Sequence, residues 1–108
     1  MIEKRQFYIN GEWVAARDGR DHPVIDPSTE EPCAMIALGG QADTDAAVAA
    51  ARAAFPAWIA TPPQERIAYV ERILGIYKRR ADDLAQAISL EMGAPIDLAR
   101  SSQAPAGS

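Results

Sequence analysis

One carboxylate continues a helical stripe of otherwise apolar residues. The preceding positions are spaced alternately by three and four residues: Ile67, Val70, Leu74, Tyr77, Ala81, Leu84 and Ile88. This spacing predicts the buried face of an amphipathic helix, with Glu91 as its next position. An unpaired buried carboxylate is costly, so Glu91 should be solvated at the helix end, protonated, paired with a base such as Arg100, or bound to a cation. A hard cation would accept backbone carbonyl oxygens beside the carboxylate.

Other residues with chemical potential lie in less favourable surroundings. Cys33, the single cysteine, lies in an apolar run without Lys, Arg or His beside it, which is typical of an inert buried thiol. His22, the single histidine, precedes Pro23, and one histidine does not build a typical zinc site, so we expect it on the surface. Gly39 and Gly40 lack the spacing of a dinucleotide loop or P-loop and are interpreted as turn glycines.

The composition narrows the classes of protein that this chain can represent. Its 108 residues allow one domain at most. The net charge of −4 argues against a nucleic-acid partner. A single cysteine fits a reducing compartment, and no apolar stretch is long enough to span a bilayer. We therefore expect a cytoplasmic protein that binds neither nucleic acid nor membranes.

Residues 7–38 predict short antiparallel β elements. Aromatic and β-branched residues flank the pair Asn10-Gly11, which is the pair that a two-residue type I′ hairpin turn prefers. A following strand ends at Asp26-Pro27, because proline has no amide proton and restricts the residue before it. A further apolar run ends at the glycine pair.

From residue 41 the apolar period changes to that of a helix. The first predicted helix covers residues 43–58, with Asp43 in its capping turn. One of its faces is apolar and is lined by Val48, Ala51, Phe55 and Trp58. Because a proline ring opposes the carbonyl four residues earlier, Pro56 should bend or end this helix near Phe55.

The second predicted helix covers residues 62–92 and carries the stripe that leads to Glu91. Thr61 is a candidate cap, and the acidic pair at 82–83 is a candidate joint within the helix. Gly93 is the natural left-handed stop.

Residues 101–108 have no apolar anchor and predict a flexible tail or a truncated linker. The remaining pattern contains helices with strong apolar faces and a few short strands, but no second layer to cover them. An α/β chain of this kind, with short antiparallel β elements followed by two to three amphipathic helices, indicates a piece of a larger fold.

The order of these elements resembles the N-terminal part of the aldehyde dehydrogenase superfamily. The matching stretches are "FYINGEWV", "VIDPSTEEPCAMIALGG", "AAFPAW" and "PPQERIAYVERILGIYKRRADDLAQAISLEMGAP". No single motif is decisive, but their order is specific. The resemblance implies that residues 1–100 are the N-terminal part of the cofactor-binding domain of an NAD- or NADP-dependent enzyme.

In that family a cysteine thiolate attacks the aldehyde, hydride passes to the nicotinamide, and a glutamate-activated water hydrolyses the thioester to the carboxylic acid. The catalytic groups and most cofactor contacts come much later in the family's sequence, so the resemblance implies no catalytic and no cofactor-binding residue in this chain. Cys33 does not match the nucleophile. A chain of this length would be inactive alone, with an aldehyde substrate, the rest of the enzyme and further copies as partners of the intact homo-oligomer.

One site carries over by resemblance. Several family members hold a monovalent cation with carbonyls just before an Asn/Asp-Pro turn and with a carboxylate before the helix-stopping glycine. The matching residues are Val24, Ile25 and Glu91. This sequence has Asp26 where asparagine is common and Ala94 where lysine often follows the glycine, and a further ligand would lie beyond the chain.

The same sequence features also fit a second class of protein, an interaction module without catalytic activity. A free-standing helical module, whose apolar stripe binds a partner protein or a second copy, would present the same uncovered faces without catalysis. A coding sequence that continues into a Gly-rich βα unit and a distant cysteine would favour the enzyme, whereas a stop codon would favour the module.

Overall fold

The computed structural model describes residues 1–107, in which five strands precede three longer helices. The strands are β1 (Ile2–Lys4), β2 (Gln6–Ile9), β3 (Glu12–Ala15), β4 (Arg20–Asp26) and β5 (Glu31–Leu38). The helices are α1 (Gln41–Ala60), α2 (Pro63–Arg79) and α3 (Ala81–Met92), followed by a turn at Ile96–Leu98, a π-helical segment at Ala99–Gln103 and a 3₁₀ turn at Pro105–Gly107. The α/β class and the order of strands before helices are confirmed.

The chain divides into two compact units. The first contains Met1–Val24 and Pro32–Thr61, and the second contains Ile25–Glu31 and the chain from Pro62 onward. The expectation of one domain at most stays a prediction. None of their large side chains is fully buried, so the packing material within each unit is small. Across the same residues, no helix combines the length and apolarity that a membrane crossing needs.

The predicted hairpin is confirmed in the first unit. β2 and β3 pair antiparallel, with Tyr8 opposite Trp13. The turn residues Asn10 and Gly11 have φ of 54° and 80°, as a type I′ turn requires. The Tyr8 and Trp13 rings meet edge to face with centroids 5.2 Å apart, which adds a cross-strand contact of the kind that stabilises sheets.

The other strands form a three-stranded sheet in the order β1-β5-β4. β1 pairs with β5 in parallel, with Glu3 opposite Met35, so the expectation of exclusively antiparallel β elements is wrong at this position. The residues of β1 are all exposed and mostly charged. They show no alternation of apolar and polar residues, which is why the sequence pattern gave no sign of this strand.

Helix α1 is longer than predicted and passes through Pro56 to Ala60. Of the two predicted effects of Pro56, an end near Phe55 is wrong, because the alanine-rich turns before the proline have the highest helix propensity and outweigh one lost hydrogen bond; a bend there stays a prediction. Its predicted apolar face is largely exposed within the described residues: Val48 is 49%, Phe55 57% and Trp58 42% exposed. The hairpin lies beside an adjacent, alanine-rich side of the helix, which shares Ala51 with the predicted face and is otherwise lined by Ala47, Ala50 and Ala54.

The second unit contains two helices where one was predicted. α2 ends and α3 begins around Arg80, whose amide donates to the carbonyls of Ile76 and Tyr77 at 3.0 and 3.1 Å. The break falls just before the acidic pair that was the candidate joint, because acidic residues favour the first turn of a new helix. Thr61 does not cap α2, since its hydroxyl donates to the Ala57 carbonyl at the end of α1.

The expectation of a flexible tail at 101–108 is wrong for the residues that the structure describes; Ser108 lies outside them. Ala104 is fully buried and packs with the buried Ala85 and Ala99. The Tyr77 hydroxyl donates to the Ala104 carbonyl at 2.6 Å. Alanines give little hydropathy signal, but their small side chains allow close helix packing, which is why the composition concealed this core.

The stripe that leads to Glu91 is only partly covered within the described residues. Ile67 and Val70 are 57% and 59% exposed, and Leu74 and Leu84 are 37% and 38% exposed. Ile88, at the other end, packs on the alanine core. The prediction of a buried stripe is therefore wrong within the described residues, where Ile88 is only partly buried and Glu91 is exposed.

Candidate functional site

The predicted cation ligands lie on a strand end and a helix end. Val24 and Ile25 are in the last part of β4, and Glu91 is in the last turn of α3. Val24 is half-buried, and its carbonyl accepts a hydrogen bond from the Cys33 thiol at 3.4 Å. Glu91 is exposed, as the solvated alternative for this carboxylate predicts.

Pairing between Glu91 and Arg100 does not occur. Arg100 donates instead from Nε to Asp82 Oδ1 at 2.7 Å. The guanidinium of Arg100 first, and the amide of Gln86 second, lower the pKa of Asp82. Within residues 1–107 the Glu91 carboxylate has no ion-pair partner, so it is accessible to an external ligand.

The turn after Ile25 is fixed by its own side chains. Asp26 Oδ1 accepts hydrogen bonds from the Ser28 amide at 2.8 Å and the Ser28 hydroxyl at 2.6 Å. The hydroxyl first, and then the amide, lower the pKa of Asp26. The Glu30 amide donates to the Asp26 carbonyl at 2.8 Å, with Glu30 at a φ of 61°. The aspartate that replaces the common asparagine therefore forms the Asx turn without difficulty.

The same turn contacts the C-terminal end of α3 inside the second unit. A groove of about 350 Å³ is lined by Asp26, Ser28, Gln86, Ser89, Leu90 and Ile96. Beside it, Pro27 lies against Gly93, the left-handed residue that ends α3 with a φ of 72°. The structure thus brings the segment that begins with Ile25 and the helix end that carries Glu91 into one packed arrangement.

The donor set fits a hard cation. It consists of oxygen atoms only, two backbone carbonyls and one carboxylate, which are the ligands that hard cations prefer. Residues 1–107 contain no cluster of three or more His, Cys, Asp or Glu side chains able to hold a metal. An ion at these residues would therefore be held by backbone carbonyls and one carboxylate, and not by a cluster of such side chains.

The N-terminus of α1 is occupied by the protein's own carboxylates. Asp18 accepts hydrogen bonds from the amides of Ala42 at 2.9 Å and Asp43 at 3.3 Å. Asp43, which is 6% exposed, accepts from the amides of Arg17 at 2.7 Å and Gly40 at 3.3 Å. The free amides at the start of α1 are thus satisfied by side chains of the protein itself. Gly40 is the extended residue that precedes this helix, so the interpretation of Gly39 and Gly40 as turn glycines stays a prediction.

Sequence reasoning identified Asp43 in this turn but missed Asp18. The amide of Arg17 first, followed by that of Gly40, lowers the pKa of Asp43 against the opposing effect of burial. Asp18 caps α1 from a turn 24 residues earlier. The signal available in the sequence was a helix start at glycine without a capping side chain, which implies that a distant group satisfies the free amides.

Cys33 and His22 occupy the positions expected of residues without a catalytic role. Cys33 lies in β5, is half-buried and donates its thiol hydrogen to a backbone carbonyl. His22 is exposed on β4. The surface position of His22 is confirmed, and the thiol of Cys33 is hydrogen-bonded to a backbone carbonyl rather than to a base.

Comparison with known proteins gives a consistent result. The model of the aldehyde dehydrogenase family matches residues 13–107. A 3-succinoylsemialdehyde-pyridine dehydrogenase from Pseudomonas sp. is 42% identical over 99% of this chain and 23% of its own length. The crystal structure of an aldehyde dehydrogenase from Bartonella henselae superposes with a TM-score of 0.95 at 52% identity, covering 99% of this chain and 22% of that one.

Aldehyde dehydrogenase C from Pseudomonas syringae, crystallised with NAD⁺ and octanal, superposes with a TM-score of 0.89 at 48% identity, over 94% of this chain and 21% of that one. The chain therefore spans a little over one fifth of the length of the relatives that it matches. This extent disfavours the free-standing interaction module. The chain belongs to the aldehyde dehydrogenase family and represents the N-terminal part of its fold.

Proposed function

We propose that the protein to which these residues belong oxidises an aldehyde to a carboxylic acid with NAD or NADP. The close superposition on the Bartonella henselae aldehyde dehydrogenase over nearly the whole chain carries this proposal. The nicotinamide, when bound, accepts the hydride that leaves the substrate carbon. The nucleophilic thiolate, the glutamate that activates water and most cofactor contacts come from residues outside the described chain.

In this proposal residues 1–107 build part of the cofactor-binding domain and provide no reacting group. Cys33 is consistent with the lack of a reacting group because its thiol donates a hydrogen bond to the Val24 carbonyl. The capped start of α1 is consistent as well, because its amides are satisfied by Asp18 and Asp43. The exposed apolar faces of α1 and α2 are surfaces that the remaining chain would cover.

The test of this activity is an aldehyde panel assayed on the complete gene product, with formation of reduced NAD or NADP as the measurement. We expect reduction that depends on the aldehyde, and we expect Cys33→Ser to retain it because serine keeps a hydrogen-bond donor to Val24. A preparation of residues 1–108 alone should be inactive. Absence of aldehyde-dependent reduction by the complete protein, with either cofactor, would overturn the proposal.

We also propose a monovalent cation at the carbonyls of Val24 and Ile25 and the carboxylate of Glu91. The support is the oxygen-only donor set and the accessible Glu91 carboxylate. Because monovalent ions in proteins are bound by several oxygens, the remaining ligands would come from elsewhere in the protein. The cation has a structural role in this proposal and takes no part in the reaction.

The cation proposal is tested by thermal unfolding of the complete protein in potassium or sodium chloride and in the chloride of a bulky organic cation. Stabilisation by the small ions should weaken in Glu91→Gln, which keeps the shape of the side chain and removes its charge. Glu65→Gln, a carboxylate in the first turn of α2, is the matched control and should keep the response. Equal salt responses in the native protein and Glu91→Gln would show that the ion does not bind there.

We further propose that the intact protein is cytoplasmic and forms a homo-oligomer. A single cysteine is consistent with the cytoplasm, and the family resemblance supports a homo-oligomer. Cell fractionation and sedimentation of the complete protein measure these two properties. Recovery in a membrane fraction, or sedimentation as a monomer, would contradict the respective part.

A further inference from the structure

Gly93 is required at the end of α3 for two separate reasons. Its backbone has a φ of 72°, which strains residues with a side chain. In addition, a Cβ atom at this position would lie 2.9 Å from Cγ of Pro27 and 3.7 Å from its Cβ. The helix end and the Asp26 turn therefore touch at a point where no side chain fits.

The partner of Gly93 is held by the Asx turn. Asp26 binds the Ser28 amide and hydroxyl, and the Glu30 amide closes the backbone of the same turn. The Pro27 ring is consequently fixed by its own φ and by the hydrogen bonds around it. Ile25 lies only two residues before this ring.

The helix end is held in the same way. The Gly93 amide donates to the Ser89 carbonyl at 2.9 Å. The Ser89 hydroxyl donates to the Ala94 carbonyl at 2.8 Å, which fixes the backbone beyond the glycine. Glu91 lies two residues before Gly93, so two of the three proposed ligands, Ile25 and Glu91, are each two residues away from the contact between Pro27 and Gly93.

We propose that the contact between Pro27 and Gly93 positions the Ile25 carbonyl and the Glu91 carboxylate relative to each other, so that cation affinity depends on the absence of a side chain at residue 93. The inference rests on the proposed cation site. Pro27 and Gly93 are positioning residues, because neither offers a side-chain ligand. Groups that orient metal ligands are commonly required for full affinity.

The test is a double-mutant cycle in the complete protein with potassium titrations, measured as the shift in thermal unfolding temperature and fitted for an apparent dissociation constant. Gly93→Asn introduces a Cβ while asparagine still tolerates the left-handed backbone. We expect potassium affinity to fall by about tenfold, at the lower end of the loss seen when orienting groups are removed. Adding Pro27→Ala removes the ring atom at 2.9 Å and should restore most of the affinity.

A matched control is available in the same chain. Gly11 has a φ of 80°, but a Cβ there would meet no atom within 4 Å. Gly11→Asn should therefore leave potassium affinity unchanged. If Gly93→Asn fails to fold, Pro27→Leu in the native background crowds the same contact from the other side and should lower the affinity as well.

The outcomes separate this inference from the site on which it rests. A native protein without any potassium response overturns the cation site and the inference together. A native response that Gly93→Asn leaves unaltered, or that Pro27→Ala fails to restore in the double variant, overturns the inference alone. Loss in Gly93→Asn, recovery in the double variant and no change in Gly11→Asn support it.

Discussion

Two glycines end their elements in the left-handed region, and they differ in what surrounds them. Gly11 closes the β2–β3 hairpin at a φ of 80° with open space where a side chain would project. Gly93 ends α3 at a φ of 72°, and a side chain there would project onto the ring of Pro27. The first is needed only for backbone conformation, whereas the second is needed for conformation and for packing.

The two glycines differ in whether neighbouring or distant residues determine their surroundings. The hairpin is encoded by adjacent residues, because Asn10-Gly11 and the flanking aromatics specify the turn and the register. The end of α3 is encoded locally as a stop, but its contact with the Asp26 turn depends on a segment much earlier in the chain. A local pattern can thus place a residue correctly and still hide why no substitute fits.

The largest predicted effect is that of replacing Gly93. Gly93→Ala should destabilise the complete protein by about 2–4 kcal/mol, because left-handed strain and crowding against Pro27 both contribute. Gly11→Ala should cost about 1–2 kcal/mol, from backbone strain alone. Urea titrations of the two variants measure the difference, and equal losses would show that the Pro27 contact contributes nothing to stability.

The first unit also contains a contact between residues far apart in the sequence. Asp18 caps α1 through the amides of Ala42 and Asp43. Asp18→Ala should cost about 1 kcal/mol, as is usual for the loss of a helix cap. Asp21→Ala removes an exposed carboxylate from the same region, one whose contact with Arg5 spans 3.6 Å, and is the control. A loss for Asp21→Ala as large as that for Asp18→Ala would mean that charge, rather than capping, is responsible.

The elements that the sequence predicted well are those with adjacent signals. The hairpin, the left-handed stop at Gly93 and the surface position of His22 follow from neighbouring residues. The candidate site was predicted only as a set of ligands. Its exposed carboxylate matched the solvated alternative, while the fixed turn and its contact with Gly93 could not be read from either segment alone.

The wrong predictions for α1, the C-terminal residues and β1 share a physical cause. In each of them an interaction that gives little or no local sequence signal decided the structure. Helix propensity before Pro56 outweighed the local cost of proline, and alanines formed a core around Ala104 that hydropathy did not reveal. β1 is an exposed strand that gains its hydrogen bonds from β5. In each case the deciding partner lies outside the window in which a sequence pattern is recognised.

A smaller effect is expected from the other carboxylate at the start of α1. The pKa of Asp43 is lowered chiefly by the Arg17 amide, so its ionised form contributes stability above its usual pKa of 3.8 and loses it as pH falls through the lower folded value. Asp43→Asn keeps one acceptor and should lower the unfolding temperature at neutral pH, with a difference from the native protein that shrinks on acidification. Asp45→Asn, at an exposed position of the same helix, is the control, and a difference for Asp43→Asn that stays constant with pH would contradict this explanation.

The smallest effect is expected from the ion pair of the second unit. Arg100 and Asp82 are each about half exposed, although their contact is 2.7 Å, and pairs of this kind contribute little because water and salt screen them. Arg100→Gln should lower the unfolding temperature less than Gly11→Ala does, and the loss should diminish in high salt. A loss as large as that of Gly93→Ala would show that the ion pair, and not the backbone contact with Pro27 or the alanine packing around Ala104, provides most of the stability of this unit.

The same variant should also change the pH dependence of unfolding, because the guanidinium lowers the pKa of Asp82. Without Arg100, unfolding should become less sensitive to pH below the usual range of that carboxyl. This change distinguishes loss of the ion pair from loss of packing by the arginine side chain.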